Sequence, residues 1–202
     1  MEHAVAPQPR PLTALPRRRL GLAPAPVETE HVAILFTDIV GSTELLERLG
    51  DVAAHRLRRR HFGLLRHVIA EHGGREVKNL GDGLMVAFAD ASDAVACGLA
   101  IQRAVAAAVE HPLELRIGVA AGEAVTEDGD YFGWPVIVAQ RLCCAAHGGD
   151  VLVADAALQP ATDLPAHGAQ PLGTLTLKGV REPVESVALR PERQRAAQGA
   201  PA

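Results

Sequence analysis

Two carboxylates carry the chemistry of this sequence. Asp38 closes the apolar run Val32-Ala33-Ile34-Leu35-Phe36 and is followed by Gly41-Ser42-Thr43; Asp82 stands between Gly81 and Gly83 in "NLGDGLM". The apolar run reads as a buried strand, and "REVKNLGDGLMVAF" reads as two strands joined at the Gly81-Asp82-Gly83 turn. Brought to one sheet edge with no cation between them, two such acids would repel and one would be driven neutral. A pair of Mg²⁺ or Mn²⁺ ions resolves the conflict, because hard cations take oxygen ligands from one or two carboxylates plus substrate phosphates. Gly41-Ser42-Thr43 then opens a helix whose free N–H groups suit phosphate oxygens. A local account stands beside this one, in which Asp38 caps the helix and Asp82-Gly83 is an ordinary hairpin turn.

The elements that must position these residues follow from periodicity and punctuation. The first strand covers about 31–37, and a short helix follows at 42–49. A longer helix over 52–72 has Asp51 as N-cap and stops at Gly73-Gly74. Ser92 caps a third helix over 93–110, with Ala94, Cys97, Gly98, Ile101 and Val105 as its buried stripe. "LELRIGVAAGEAV" is a strand or hairpin. Pro135 opens a helix ending at Gly148-Gly149, and "DVLVA", "LGTLTLKG" and "ESVAL" add strands. Strand, helices, two strands, helix, strand is the order of an α+β, ferredoxin-like (βαββαβ) antiparallel sheet. Its helices are expected on one face, leaving the other for a ligand or a second subunit.

The chain has 202 residues, enough for one packed domain; at 48% apolar but 3% aromatic, its core is built from Ala, Val, Leu and Ile. A net charge of −4 argues against a nucleic-acid binder. No window is apolar over the roughly 20 residues that span a bilayer, so no membrane partner is expected. Residues 1–29, rich in Pro, Ala and Arg, and residues 191–202 read as a disordered leader and tail around a folded unit at 30–190. Arg17-Arg18-Arg19 is not followed by the unbroken apolar stretch of an export signal. An odd count of three cysteines, two of them adjacent, fits a reducing, cytoplasmic compartment. The cluster His55, Arg56, Arg58, Arg59, Arg60 and His61 reads as a solvated helix face.

The motifs "FTDIVGST", "EVKNLGDGLMVAF", "RIGVAAGEA", "GDYFGWPVIVAQR" and "LGTLTLKGVREPV" occur in an order that resembles the class III nucleotidyl cyclases over about residues 31–190. The resemblance implies an enzyme that converts a nucleoside triphosphate to its 3′,5′-cyclic monophosphate and pyrophosphate, in a homodimer with active sites between two catalytic domains. It implies Asp38 and Asp82 as metal-binding aspartates, with Ile39 beside them, and two Mg²⁺ or Mn²⁺ ions per site. Ile39, Val40, Gly41, Ser42 and Thr43 are the implied phosphate-contacting stretch. Lys78 and Asp130 match the pair that reads the base, and Arg141 the arginine that stabilises the transition state. The base assignment has its own chemical logic. Lys is a pure donor and ionised Asp a pure acceptor, which complements N1 and N6 of adenine and mismatches guanine, so ATP is the expected substrate.

The sequence departs from the family at "VIVAQR", where the pattern usually reads Val-Asn-x-Ala-x-Arg. Ile137 stands where an asparagine is expected to orient the ribose. Loss of one transition-state polar contact costs roughly 10²- to 10³-fold in rate. An alternative is therefore a degenerate cyclase domain that binds a nucleotide or partner and regulates without turnover. A diguanylate cyclase is disfavoured, since "NLGDGLM" lacks the Gly-Gly-(Asp/Glu)-(Asp/Glu)-Phe hairpin.

Overall fold

The computed structural model describes residues 27–108, 113–158 and 169–191. In chain order the elements are β1 (Glu28–Ile39), α1 (Ser42–Leu49), α2 (Asp51–Glu71), β2 (Arg75–Asn79), β3 (Leu84–Phe88), α3 (Ala91–Ala107), β4 (Leu115–Glu127), β5 (Asp130–Phe132), α4 (Trp134–Ala145), β6 (Val151–Ala154), a 3₁₀ turn (Asp155–Leu158), β7 (Gln170–Leu175) and β8 (Val184–Leu189). They build one sheet in the order β2-β3-β1-β4-β6-β8-β7, with β5 paired to β4. Its first four strands are all antiparallel, the expected ferredoxin-like core. The sheet as a whole is mixed, because β6 joins β4 in parallel across α4.

The β1 run is continuously apolar because the sheet is covered on both faces. Successive side chains alternate: Ala33 and Leu35 pack with Leu65, Val68 and Ile69 of α2 and Cys97, Ile101 and Val105 of α3. Ile34 and Phe36 pack on the opposite face with Val138, Ala139, Leu142 and Cys143 of α4. The expectation of helices on one face only is thus corrected. The segment 134–145 has enough apolar positions to bury a stripe of its own, and it claims the face that the core motif alone leaves open.

Local boundaries shift for physical reasons. Gly50 precedes α2 and Asp51 lies inside its first turn, where a carboxylate complements the helix dipole. The cap of α3 is Asp90, whose Oδ1 accepts from the Ser92 N–H at 2.7 Å; Ser92 is inside the helix. β1 begins at Glu28, within the stretch expected to be leader. Residues 1–26 of that leader and the tail beyond residue 191 lie outside the described residues, and α3, expected to reach residue 110, ends at Ala107 with Ala108 as its C-cap. His61, expected on a solvated face, is buried (7% exposed) beside Phe62, and burial lowers its pKa to about 4. Arg56, Arg59 and Arg60 do face solvent. Among the described residues no helix is long and apolar enough to cross a membrane.

Candidate active site

Asp38 is the penultimate residue of β1, and the chain turns there into α1. The loop carrying Asp82 is pressed against that same strand end. The Ile39 N–H donates to the Asp82 carbonyl at 3.2 Å, and the Leu84 N–H donates to Thr37 Oγ1 at 3.0 Å. Glycine at 83 is what permits the approach: a Cβ there would lie 1.9 Å from the Thr37 carbonyl oxygen. The Ser42 hydroxyl, at the first position of α1, donates to Asp82 Oδ2 at 2.9 Å. Two acids 44 positions apart in sequence are in this way tied to one end of one strand.

A residue that the sequence reading missed completes this cluster. Arg116 of β4 stands directly opposite Asp38 in the β1–β4 register, and its Nε donates to Asp38 Oδ2 at 2.6 Å. The signal was a cross-strand register, visible only once β1 and β4 are known to pair. Each of these two side-chain bonds takes Oδ2, so the other oxygen of each carboxylate is the one that would meet a cation. Among the described residues, no group of three or more His, Cys, Asp or Glu could hold a metal. A divalent ion here would rest on Asp38, Asp82, backbone carbonyls such as that of Ile39, and substrate oxygens. That all-oxygen donor set suits Mg²⁺ or Mn²⁺.

The stretch 39–43 divides. The N–H groups of Ile39 and Val40 are already donated, to Asp82 and to Glu114, whereas the first N–H groups of α1 have no partner within the helix. Gly41 takes a left-handed conformation (φ 65°) and its carbonyl accepts from Leu45, which starts the helix at Ser42.

Lys78 and Asp130 meet. Nζ donates to Asp130 Oδ2 at 2.5 Å, and the Phe132 ring centroid lies 5.9 Å from Nζ. A bulge between Glu76 and Lys78 breaks the alternation of β2 and re-aims the lysine. Asp130 Oδ1 also accepts from the Tyr131 N–H at 2.8 Å. The hydrogen bond from Lys78, above all, holds the Asp130 carboxyl below the usual carboxylate range.

Arg141 lies on α4, which sits close to β4 because residue 118 is glycine: a Cβ there would lie 2.2 Å from the Ala139 carbonyl. The Arg141 Nε is buried and has no hydrogen-bond partner, and no hydrogen bond joins this side chain to either acidic cluster among the described residues. Ile137, one turn earlier and therefore on the same helix face, is 43% exposed, as are Phe132 (45%) and Trp134 (50%) nearby in sequence.

Residues 25–190 match the family model described as the adenylate and guanylate cyclase catalytic domain. An adenylate cyclase of Streptomyces coelicolor is 33% identical over 175 residues, covering 84% of this chain; the chain spans 46% of that relative's length, and less than half of other curated relatives. The crystal structure of an adenylate/guanylate cyclase/hydrolase from Silicibacter pomeroyi is similar at TM-score 0.72 and 31% identity, over 83% of this chain and 100% of that one. The adenylyl cyclase CyaB of P. aeruginosa gives TM-score 0.73 at 26% identity, over 84% and 98%. With most of its length matched, fold and motifs alike, the chain belongs to the adenylate and guanylate cyclase catalytic domain family.

Proposed function

We propose that the chain is an adenylate cyclase that forms 3′,5′-cyclic AMP and pyrophosphate from ATP, as a cytoplasmic homodimer whose sites lie between subunits. The observation that carries this reading is the convergence of Asp38 and Asp82 on the end of β1 beside the free N–H groups of α1. Mg²⁺ or Mn²⁺ held by Asp38, Asp82 and the Ile39 carbonyl would lower the pKa of the ribose 3′-hydroxyl and offset the charge of the leaving pyrophosphate.

The protein's own groups do the rest. Ser42 fixes the Asp82 carboxylate through its hydroxyl, and the opening N–H groups of α1 receive phosphate oxygens. Arg116 holds Asp38 in place until a cation competes for it. Lys78 donates to N1 of adenine and Asp130 accepts from its N6 amine. Arg141, buried at Nε without a partner, supplies a guanidinium for the α-phosphoryl oxygens as the 3′-oxygen attacks and the bond to pyrophosphate breaks. Among the described residues no hydrogen bond joins Arg141 to either acidic cluster of its own chain, which favours a site shared with a second copy. The three free cysteines favour a reducing compartment.

A second reading is favoured by Ile137: a family member that binds nucleotide but turns it over too slowly to signal by product. Incubation with Mn²⁺ and either ATP or GTP, with cyclic product quantified, separates the two. Cyclic AMP from ATP in excess of cyclic GMP from GTP, lost in Asp38→Ala, supports the enzyme. No product above that variant supports the binding module. Mixing inactive Asp38→Ala with inactive Arg141→Ala protein should restore activity if sites are shared between subunits, and no recovery would contradict sharing.

A further inference from the structure

Lys78 and Asp130 sit on strands that share no backbone ladder. Among the described residues β2 is the edge of the sheet and pairs with β3 alone, while β5 pairs with β4 alone. Among the described residues the gap between them is bridged by two contacts made from side chains of β2. One rung is the Lys78–Asp130 ion pair itself. The other is Arg75, three residues earlier on β2: its Nη1 donates to the Gly129 carbonyl at 3.2 Å, and its guanidinium carbon lies 5.3 Å from the centroid of the Tyr131 ring. Arg75 therefore grips the residue before Asp130 and the residue after it.

The other end of that grip is itself anchored. Tyr131 is buried, and its hydroxyl donates to Glu30 Oε1 of β1 at 2.5 Å. The β4–β5 connection is a two-residue turn in which Asp128 (φ 51°) and Gly129 (φ 80°) both take positive φ. This is the geometry that an Asp-Gly pair favours between twisted strands, and it presents the Gly129 carbonyl to Arg75.

The ion pair alone is a weak brace even before substrate binds, because its two side chains are 39% and 29% exposed. A purine read by both Lys78 and Asp130 must take hydrogen bonds that the two now give each other, so substrate binding loosens the rung that joins them. We propose that Arg75, acting through the Gly129 carbonyl and the Tyr131 ring, is a positioning residue that fixes the β5 hairpin relative to β2 and so sets the purine selectivity of the Lys78–Asp130 pair. This inference rests on the base-reading role given to that pair above. Arg75 contacts no substrate atom in this account; it keeps donor and acceptor at the spacing that an adenine edge requires.

The test compares wild type with Arg75→Ala, Arg75→Lys and, as a control, Arg66→Ala. Arg66 holds Glu76 of the same strand with hydrogen bonds of 2.6 and 2.8 Å but touches nothing on the hairpin. Two readouts are taken on the full chain: titration of the Asp130 carboxyl by NMR in nucleotide-free protein, and the ratio of ATP to GTP affinity by competition binding, which does not depend on turnover. Arg75→Ala should move the Asp130 carboxyl up toward the ordinary range and cut the ATP:GTP ratio about tenfold, the size of one lost charge-assisted hydrogen bond. Arg75→Lys should recover part of both, and Arg66→Ala should leave both in place. The inference is overturned if Asp130 titrates in Arg75→Ala as in wild type, or if Arg66→Ala shifts it equally, which would mean general loosening of β2. A wild type with no preference for ATP would instead refute base reading by Lys78 and Asp130, and the Asp130 titration would still decide the role of Arg75.

Discussion

Replacing Gly83 by alanine tests the positioning of Asp82 without altering any polar group. The added Cβ would lie 1.9 Å from the Thr37 carbonyl oxygen, against 3.4 Å for an ordinary contact, so a displacement of about 1.5 Å is required. Thr37 cannot supply it, because β1 lies inside the sheet with β3 on one side and β4 on the other. The loop 80–83 must retreat instead, and with it go the bond from the Ile39 N–H to the Asp82 carbonyl and the bond from Ser42 to the Asp82 carboxylate. A misplacement of about 1 Å in a catalytic group costs roughly 10²-fold. Gly83→Ala is therefore expected to lower Mn²⁺-ATP turnover at least about 100-fold and to weaken Mn²⁺ binding. Thermal unfolding would be lowered by only the roughly 1–3 kcal/mol typical of overpacking. The assay pairs cyclic AMP production with calorimetry on the same sample. A folded variant with turnover within twofold of wild type would refute the claim that contact with β1 sets the position of Asp82.

Further outcomes follow from the same geometry. Ile137→Asn should raise kcat, by up to roughly 10²- to 10³-fold, with little change in KM for ATP; no gain in steady-state turnover would place the slow step elsewhere. His61 is held neutral in the fold, with its pKa lowered from 6.5 to about 4 by burial. The unfolded chain therefore takes up a proton first, and stability contributed at neutral pH is lost as pH falls from about 6.5 toward 4, by on the order of 3 kcal/mol in full. His61→Phe, which also removes the unpaired Nε2, should flatten that part of the unfolding-versus-pH curve; an unchanged slope would assign the acid sensitivity to other groups. Gly63 is exposed within α2, with open space where a Cβ would go. Gly63→Ala should gain roughly 0.5–1 kcal/mol from helix propensity with cyclase activity unchanged, and a loss of activity would show that α2 communicates with the site.

How far the sequence could be read depends on which interactions are local. The β1 run, the Asp82 hairpin, the helix stop at Gly73 and the helix start at Pro135 were legible because apolar period and turn chemistry act over a few residues. The ferredoxin-like core followed from element order, since a split βαβ leaves few alternatives. The second covered face was not legible: nothing in "WPVIVAQRLCCA" says which side of the sheet it will take. Asp90 displaced Ser92 as the cap of α3 because both are good cap residues two positions apart. Within the site, Asp38, Asp82, Lys78 and Asp130 could be named from motif resemblance and donor–acceptor logic. Arg116 and Arg75 could not, since each matters through a partner 78 or 54 positions away. The Asp128-Gly129 pair was the available signal for the β4–β5 turn, and it fixes where Asp130 starts.

Binding of Mn²⁺, followed by electron paramagnetic resonance in the presence of ATP, bears most directly on the pairing of Asp38 with Asp82. The account predicts binding that ATP strengthens and that Asp38→Asn and Asp82→Asn each weaken at least about tenfold while the fold stays intact. Equal Mn²⁺ affinity in wild type and both variants would contradict it.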